Sequence, residues 1–105
     1  MNIMKMMQQA KAMQEKMQVM DAEFANVMVE GVAGGGLVKT VMSCKGYCRS
    51  VTLDPTLLKE DKEIIEDMIM AAVNDAKAKG DQRVAEDTQK MMSDLGLPAG
   101  AKLPF

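Results

Sequence analysis

The run Gly31-Val32-Ala33-Gly34-Gly35-Gly36-Leu37-Val38-Lys39-Thr40 places four glycines in ten positions, with a lysine and a threonine behind them. Those are the residue types that cradle nucleotide phosphates. A working cradle needs the lysine and the hydroxyl directly after its last glycine, at the mouth of a helix whose free amides face the phosphate. Here Gly36 is followed by Leu37 and a β-branched run. The spacing instead predicts a tight corner between two strands, where glycine supplies positive φ angles. Cys44 and Cys48 form a second arrangement. A structural zinc takes about four ligands, and the chain has two thiols and no histidine. A three-residue loop between the cysteines would set them face to face across a hairpin, within reach of a disulfide, whereas a reducing compartment keeps thiols free. The third arrangement is the carboxylate pair Glu66 and Asp67, set in an acidic run with no pocket signal beside it. Without histidine, Ser–His and Cys–His activation are both unavailable. The expectation is a non-enzyme with no catalytic residue, metal, cofactor or small-molecule substrate.

The remaining chemistry is charge. The formal net charge is −2 over 105 residues, but the distribution is uneven. Lys5, Lys11 and Lys16 face only Glu15 in the first twenty residues. Lys39, Lys45 and Arg49 lie in a stretch, 31–53, that has no acid after Glu30. Residues 54–75 are acidic, and Lys77, Lys79, Arg83 and Lys90 follow. Cations spaced along an element can bind nucleic-acid phosphates. No positively charged start leads into a long apolar run, so neither a signal peptide nor a membrane span is expected. That absence points to a soluble cytoplasmic protein.

These cations need elements to carry them. Ile3, Met6, Ala10, Met13, Met17, Met20 and Phe24 recur at alternating steps of three and four, which predicts a helix over 2–24 with a heptad seam. Met4 and Met7 widen its apolar stripe. Short β-branched runs broken by glycine predict strands near 26–33, 37–44 and 47–53, joined closely enough to be antiparallel. Asp54-Pro55 ends the third strand. Ile64, Ile65, Met68, Ile69, Ala72, Val73 and Ala76 predict a helix over 60–93, with acids near its start and cations further on, as the helix dipole favours. Gly80 marks a place where this helix could bend. The Gly/Pro-rich end, 96–105, reads as a mobile tail after a single domain, 1–95.

With only three aromatics and thirteen methionines, the core is small and plastic. The helices should be about 35 and 50 Å long and the strands about 23 Å, so both helices overhang the sheet by roughly 10–25 Å. Overhanging apolar stripes need cover. The expected fold is α+β: an N-terminal helix, a three-stranded antiparallel sheet and a long C-terminal helix. It is expected to form a twofold dimer with projecting helical arms, using the seam from Ile3 to Phe24.

The segments "GGGLVKTVMSCKG", "SVTLDP" and "IIEDMIMAAVNDAKAK", in this order and spacing after a helix, resemble the YbaB/EbfC family of nucleoid-associated proteins. The resemblance implies a cytoplasmic, nucleoid-associated homodimer that binds double-stranded DNA without catalysis, its helical arms reaching toward the duplex. In this chain the cations that arms would carry are Lys5, Lys11, Lys16, Lys77, Lys79, Arg83 and Lys90. Contact through phosphates would give weak sequence preference. The alternative is a protein-interaction module that grips a partner helix with its Met-rich surface, with incidental DNA affinity.

Overall fold

The computed structural model describes residues 2–96 of the chain. The Asn2 side chain accepts the Met4 amide at 3.1 Å, which satisfies one of the donors left free at the start of helix α1 (Ile3–Phe24). A turn at Ala25-Asn26 leads into β1 (Met28–Ala33), β2 (Val38–Ser43) and β3 (Cys48–Leu53), an antiparallel sheet in the order β1-β2-β3. Ala33 pairs with Val38, and Val38 with Leu53. Gly34, Gly35 and Gly36 have φ of 62°, 68° and 104°, so the glycine run is a corner, as its spacing predicted.

The second corner differs from expectation. Cys48 pairs with Met42 across an irregular register, and the Ser43 amide donates to the Tyr47 carbonyl at 2.8 Å. The bulge offsets the cysteines, so they do not face each other. Cys44 is buried, Cys48 is exposed, and both are free thiols.

The chain then makes a 3₁₀ turn, Pro55–Lys59, which sequence periodicity did not reveal. Asp54 starts it by accepting the Thr56 amide (2.9 Å) and hydroxyl (2.6 Å). Leu57, in that turn, is driven into the core. Helix α2 (Lys62–Asp94) follows as one unbroken element of 33 residues, about 50 Å long. The helix runs through Gly80 without interruption. Gly80 is instead buried where α2 crosses the second corner; a Cβ there would lie 3.5 Å from the Cys44 Cα.

One face of α2 covers the sheet. Val38, Leu57 and Ala72 form the buried centre, ringed by Leu37, Leu53, Ile65, Met68 and Ile69. The helix presses hardest on β1. A Cβ on Gly31 would lie 2.1 Å from the Ala72 carbonyl oxygen and 2.6 Å from the Ala76 nitrogen. The buried Thr40 hydroxyl donates to the same Ala72 carbonyl at 2.9 Å. Because α2 sits over β1 and β2, every residue of β3 but Leu53 is exposed.

The protein measures 67 × 22 × 18 Å, with a radius of gyration of 19.0 Å. A compact chain of this length has about 13 Å. The excess comes from α1 and the distal part of α2, which leave the sheet together as an antiparallel pair. No helix of the described residues is long and apolar enough to cross a membrane. The expected tail, apart from Gly96, lies outside the described residues.

Candidate nucleic-acid interface

The seven helical cations divide by what each is bonded to. On α2, Lys77 pairs with Asp81, Lys79 with Asp75 (2.9 Å) and Arg83 with Asp87 (3.0 Å). Each partner stands four residues away, one helical turn, where side chains meet. Asp87 holds the Arg83 guanidinium above its ordinary value. Lys79 also reaches the sheet, where its ammonium donates to the Glu30 carbonyl on β1 at 3.0 Å. These three cations are therefore locally neutralised. That pairing was legible in the i, i+4 spacing of Asp75 with Lys79, Lys77 with Asp81 and Arg83 with Asp87, and charge counting alone missed it.

Two of the three cations in the middle stretch also hold structure. Lys45 bonds Asp21 of α1 at 2.7 Å, and Arg49 donates to the Ala25 carbonyl at 3.4 Å, at the end of α1. Together they fasten the C-terminal end of α1 to the second corner. A cation at that end also meets the negative pole of the helix dipole.

Lys5, Lys11, Lys16 and Lys90 differ. All four are exposed, and among the described residues none makes an ion pair. Lys5 and Lys16 stand eleven residues apart, close to three full turns, so they share a face about 17 Å apart. That span matches about five nucleotide steps of a duplex strand. Lys11 points about a third of the way round the helix. Between α1 and α2 lies an open groove of about 670 Å³ whose walls bring Lys16, Arg83 and Lys90 together above an apolar floor that includes Val19, Met20 and Met91. Glu15, Asp87 and Asp94 also line it, so its charge is mixed.

The heptad seam divides too. Phe24 is buried, and Met13, Met17 and Met20 are half-buried. Ala10 is exposed, as are Met6 and Ile3 at 51% and 72%. Met4 and Met7 beside them are 71% and 67% exposed. Within one chain, the seam packs only along its C-terminal half.

The other chemically suggestive residues do not converge. The depression at the glycine corner is lined by Glu30 as well as Lys39, and a carboxylate there repels phosphate. Glu66 is exposed and bridges to Lys62 at 3.5 Å. Among the described residues no three side chains are placed to hold a metal ion.

The family model described as the YbaB/EbfC DNA-binding family matches residues 1–95. A protein of Bartonella tribocorum named nucleoid-associated protein is 48% identical over 104 residues, covering 98% of this chain and 97% of the relative. A protein of the same name from Brucella ovis is 48% identical over 105 residues, covering 99% and 98%. The crystal structure of the uncharacterized protein HP0035 from Helicobacter pylori superposes with a TM-score of 0.74 at 20% identity, covering 88% of this chain and 98% of that one. That likeness is one of fold.

Proposed function

This chain belongs to the YbaB/EbfC DNA-binding family, and from that membership we propose that it is a non-enzymatic, nucleoid-associated protein that binds double-stranded DNA as a homodimer. Binding runs mainly through phosphates, with weak sequence preference. One observation carries the assignment of the contacts: Lys5, Lys11 and Lys16 line an exposed projecting helix with no carboxylate partner among the described residues, while Lys77, Lys79 and Arg83 are already paired. A phosphate gains most from a cation that gives up no bond to meet it. Lys5, Lys11, Lys16 and Lys90 are therefore the leading contacts. Lys77 and Arg83 contribute only where DNA displaces Asp81 and Asp87. Only two arginines, Arg49 and Arg83, could make bidentate guanine contacts, and with three aromatics in the chain stacking on single strands is weak.

Self-association follows from the exposed half of the seam. Ile3, Met4, Met6 and Met7 form an apolar stripe that a soluble monomer rarely leaves in water. A nucleoid location follows from the same DNA affinity. The stripe also favours the second reading, a module that docks a partner protein's helix.

Titration of random-sequence duplex DNA across a range of salt separates these readings. Phosphate binding gives a log–log slope of about −0.9 per phosphate neutralised and similar affinity for unrelated sequences. A flat salt response, or no binding at about 50 mM salt, selects the protein-partner reading instead.

A further inference from the structure

The groove between α1 and α2 holds two kinds of cation. Lys16 and Lys90, on its two sides, make no ion pair among the described residues. Arg83 lines the same groove and is bonded. An arginine carries five N–H donors in a planar fork, one on Nε and four on the two terminal nitrogens. The Arg83 Nε donates to the Asp87 carboxylate at 3.0 Å, and among the described residues that is the one hydrogen bond Arg83 makes. Both terminal nitrogens are left over, on a side chain that is 49% exposed. Asp87 therefore removes net charge without blocking the end of the fork. It also holds the guanidinium plane, so less side-chain entropy is lost when the fork bonds a partner. Arg49 is engaged the other way round. One of its terminal nitrogens, Nη2, donates to the Ala25 carbonyl at 3.4 Å, on the end of its fork.

A neutralised fork suits a neutral partner. Phosphate is held by net charge, and Asp87 stands beside the fork with Glu15 and Asp94 in the same groove, each of which repels a phosphate. The major-groove edge of a G·C pair carries no formal charge. Guanine presents two acceptors there, O6 and N7, which an arginine fork meets bidentately, and cytosine presents an N4 donor that a carboxylate accepts. Cations and carboxylates interleaved in one groove match that pattern better than they match phosphate. The spacing agrees. Arg83 and Lys90 are seven residues apart, close to two turns, so they share a face of α2 about 10 Å apart. That is about three nucleotide steps along one strand, which brings Lys90 to a phosphate when Arg83 is at a base.

We propose that Arg83 reads guanine in the major groove of bound DNA, its terminal nitrogens donating to O6 and N7, with Asp87 as the residue that positions it. This rests on the DNA binding proposed above and names the source of its weak sequence preference. The unpaired lysines supply affinity and salt dependence. Arg83 supplies discrimination between bases and, being neutralised by Asp87, adds little to the salt dependence.

The first measurement needs no variant. The affinity of the full chain for a random-sequence duplex pool is compared with its affinity for the same pool made with 7-deazaguanine in place of guanine. The replacement keeps phosphates and base pairing and removes the N7 acceptor, and with it the bidentate contact. At the lower end of what such a contact is worth, the natural pool should bind about 5-fold tighter, with the same salt slope in both. Equal affinity for the two pools overturns the proposal. No binding to either pool at about 50 mM salt instead refutes the DNA-binding reading beneath it. Arg83→Lys keeps the charge and loses the fork, so it should bind the two pools alike; a 5-fold preference retained in that variant also overturns the proposal. Asp87→Ala frees Arg83 to take a phosphate, so the preference should shrink while the salt slope steepens. Asp87→Asn keeps an oxygen for the Arg83 Nε and should restore the preference. Wild-type preference and slope in Asp87→Ala overturn the positioning role of Asp87.

Discussion

Gly31→Ala adds one methyl group where strand and helix are closest. The new Cβ would stand 2.1 Å from the Ala72 oxygen, 2.6 Å from the Ala76 nitrogen and 2.7 Å from the Ala76 Cβ. Two of these neighbours are helix backbone, so no side chain can swing aside. The helix must move by more than about 1 Å to reach ordinary contact. Overpacking of this kind costs about 3 kcal/mol, the upper part of the usual range. Displacement of α2 also strains the Thr40 bond to Ala72, worth about 1 kcal/mol. The sum is about 4 kcal/mol, which for a domain of this size lowers Tm by roughly 15–30 °C. Thermal unfolding followed by circular dichroism at fixed protein concentration measures it; concentration is held constant because self-association shifts Tm. Gly35→Ala is the control. No atom lies within 4 Å of that Cβ, but φ is +68°, so the cost is the left-handed penalty of about 1–2 kcal/mol. A Gly31→Ala variant that melts within about 5 °C of wild type, or no lower than Gly35→Ala, would refute the close-approach reasoning.

Gly80→Ala should have the opposite sign. Its Cβ meets Cys44 and Val29 at ordinary distances of 3.5 and 3.6 Å, so the helix-propensity gain of about 1 kcal/mol survives and Tm rises by about 4–8 °C; a fall in Tm contradicts the packing described. Asp75→Asn should flatten acid unfolding. The Asp75 carboxyl is lowered in the fold, first by the Val32 amide and then by Lys79. Its stabilisation is present above the unfolded pKa of about 3.9 and is lost as pH falls through the lower folded value. An acid limb below about pH 4 that is identical in wild type and variant contradicts this. The two thiols should react in separate phases with a thiol reagent at neutral pH. Cys48 is exposed, whereas Cys44 is only 7% exposed and burial pushes its thiol pKa up. Equal rates would contradict the placement of Cys44.

Much of this architecture was written in local patterns. The α1 seam repeats in steps of three and four, and the glycine corner demands positive φ within three residues, so each can be read without knowing what lies across from it. Gly31 and Gly80 could not be read that way. Their reason is a helix that returns some forty residues later, in the first case, and a corner some forty residues earlier, in the second. Gly80 accordingly looked like a helix weakness and is a packing position. The offset of Cys44 and Cys48 depends on a bulge that no single residue announces. The cations were visible from the start, but their states were not. Lys45 and Arg49 are engaged by α1 across 24 residues of chain, and the pairing of Lys79 with β1 spans 49.

The placement of DNA on α1 is tested most directly by the slope of log affinity against log salt for random duplex DNA. Lys5, Lys11 and Lys16 changed together to Gln would remove up to six phosphate contacts from the proposed dimer, so the slope should become shallower by up to about 5. Binding should weaken alike on every sequence. The pair Lys77→Gln and Arg83→Gln, whose cations are already neutralised on α2, should change the slope far less. An unchanged slope in the α1 variant, or a larger change in the α2 variant, would contradict the account.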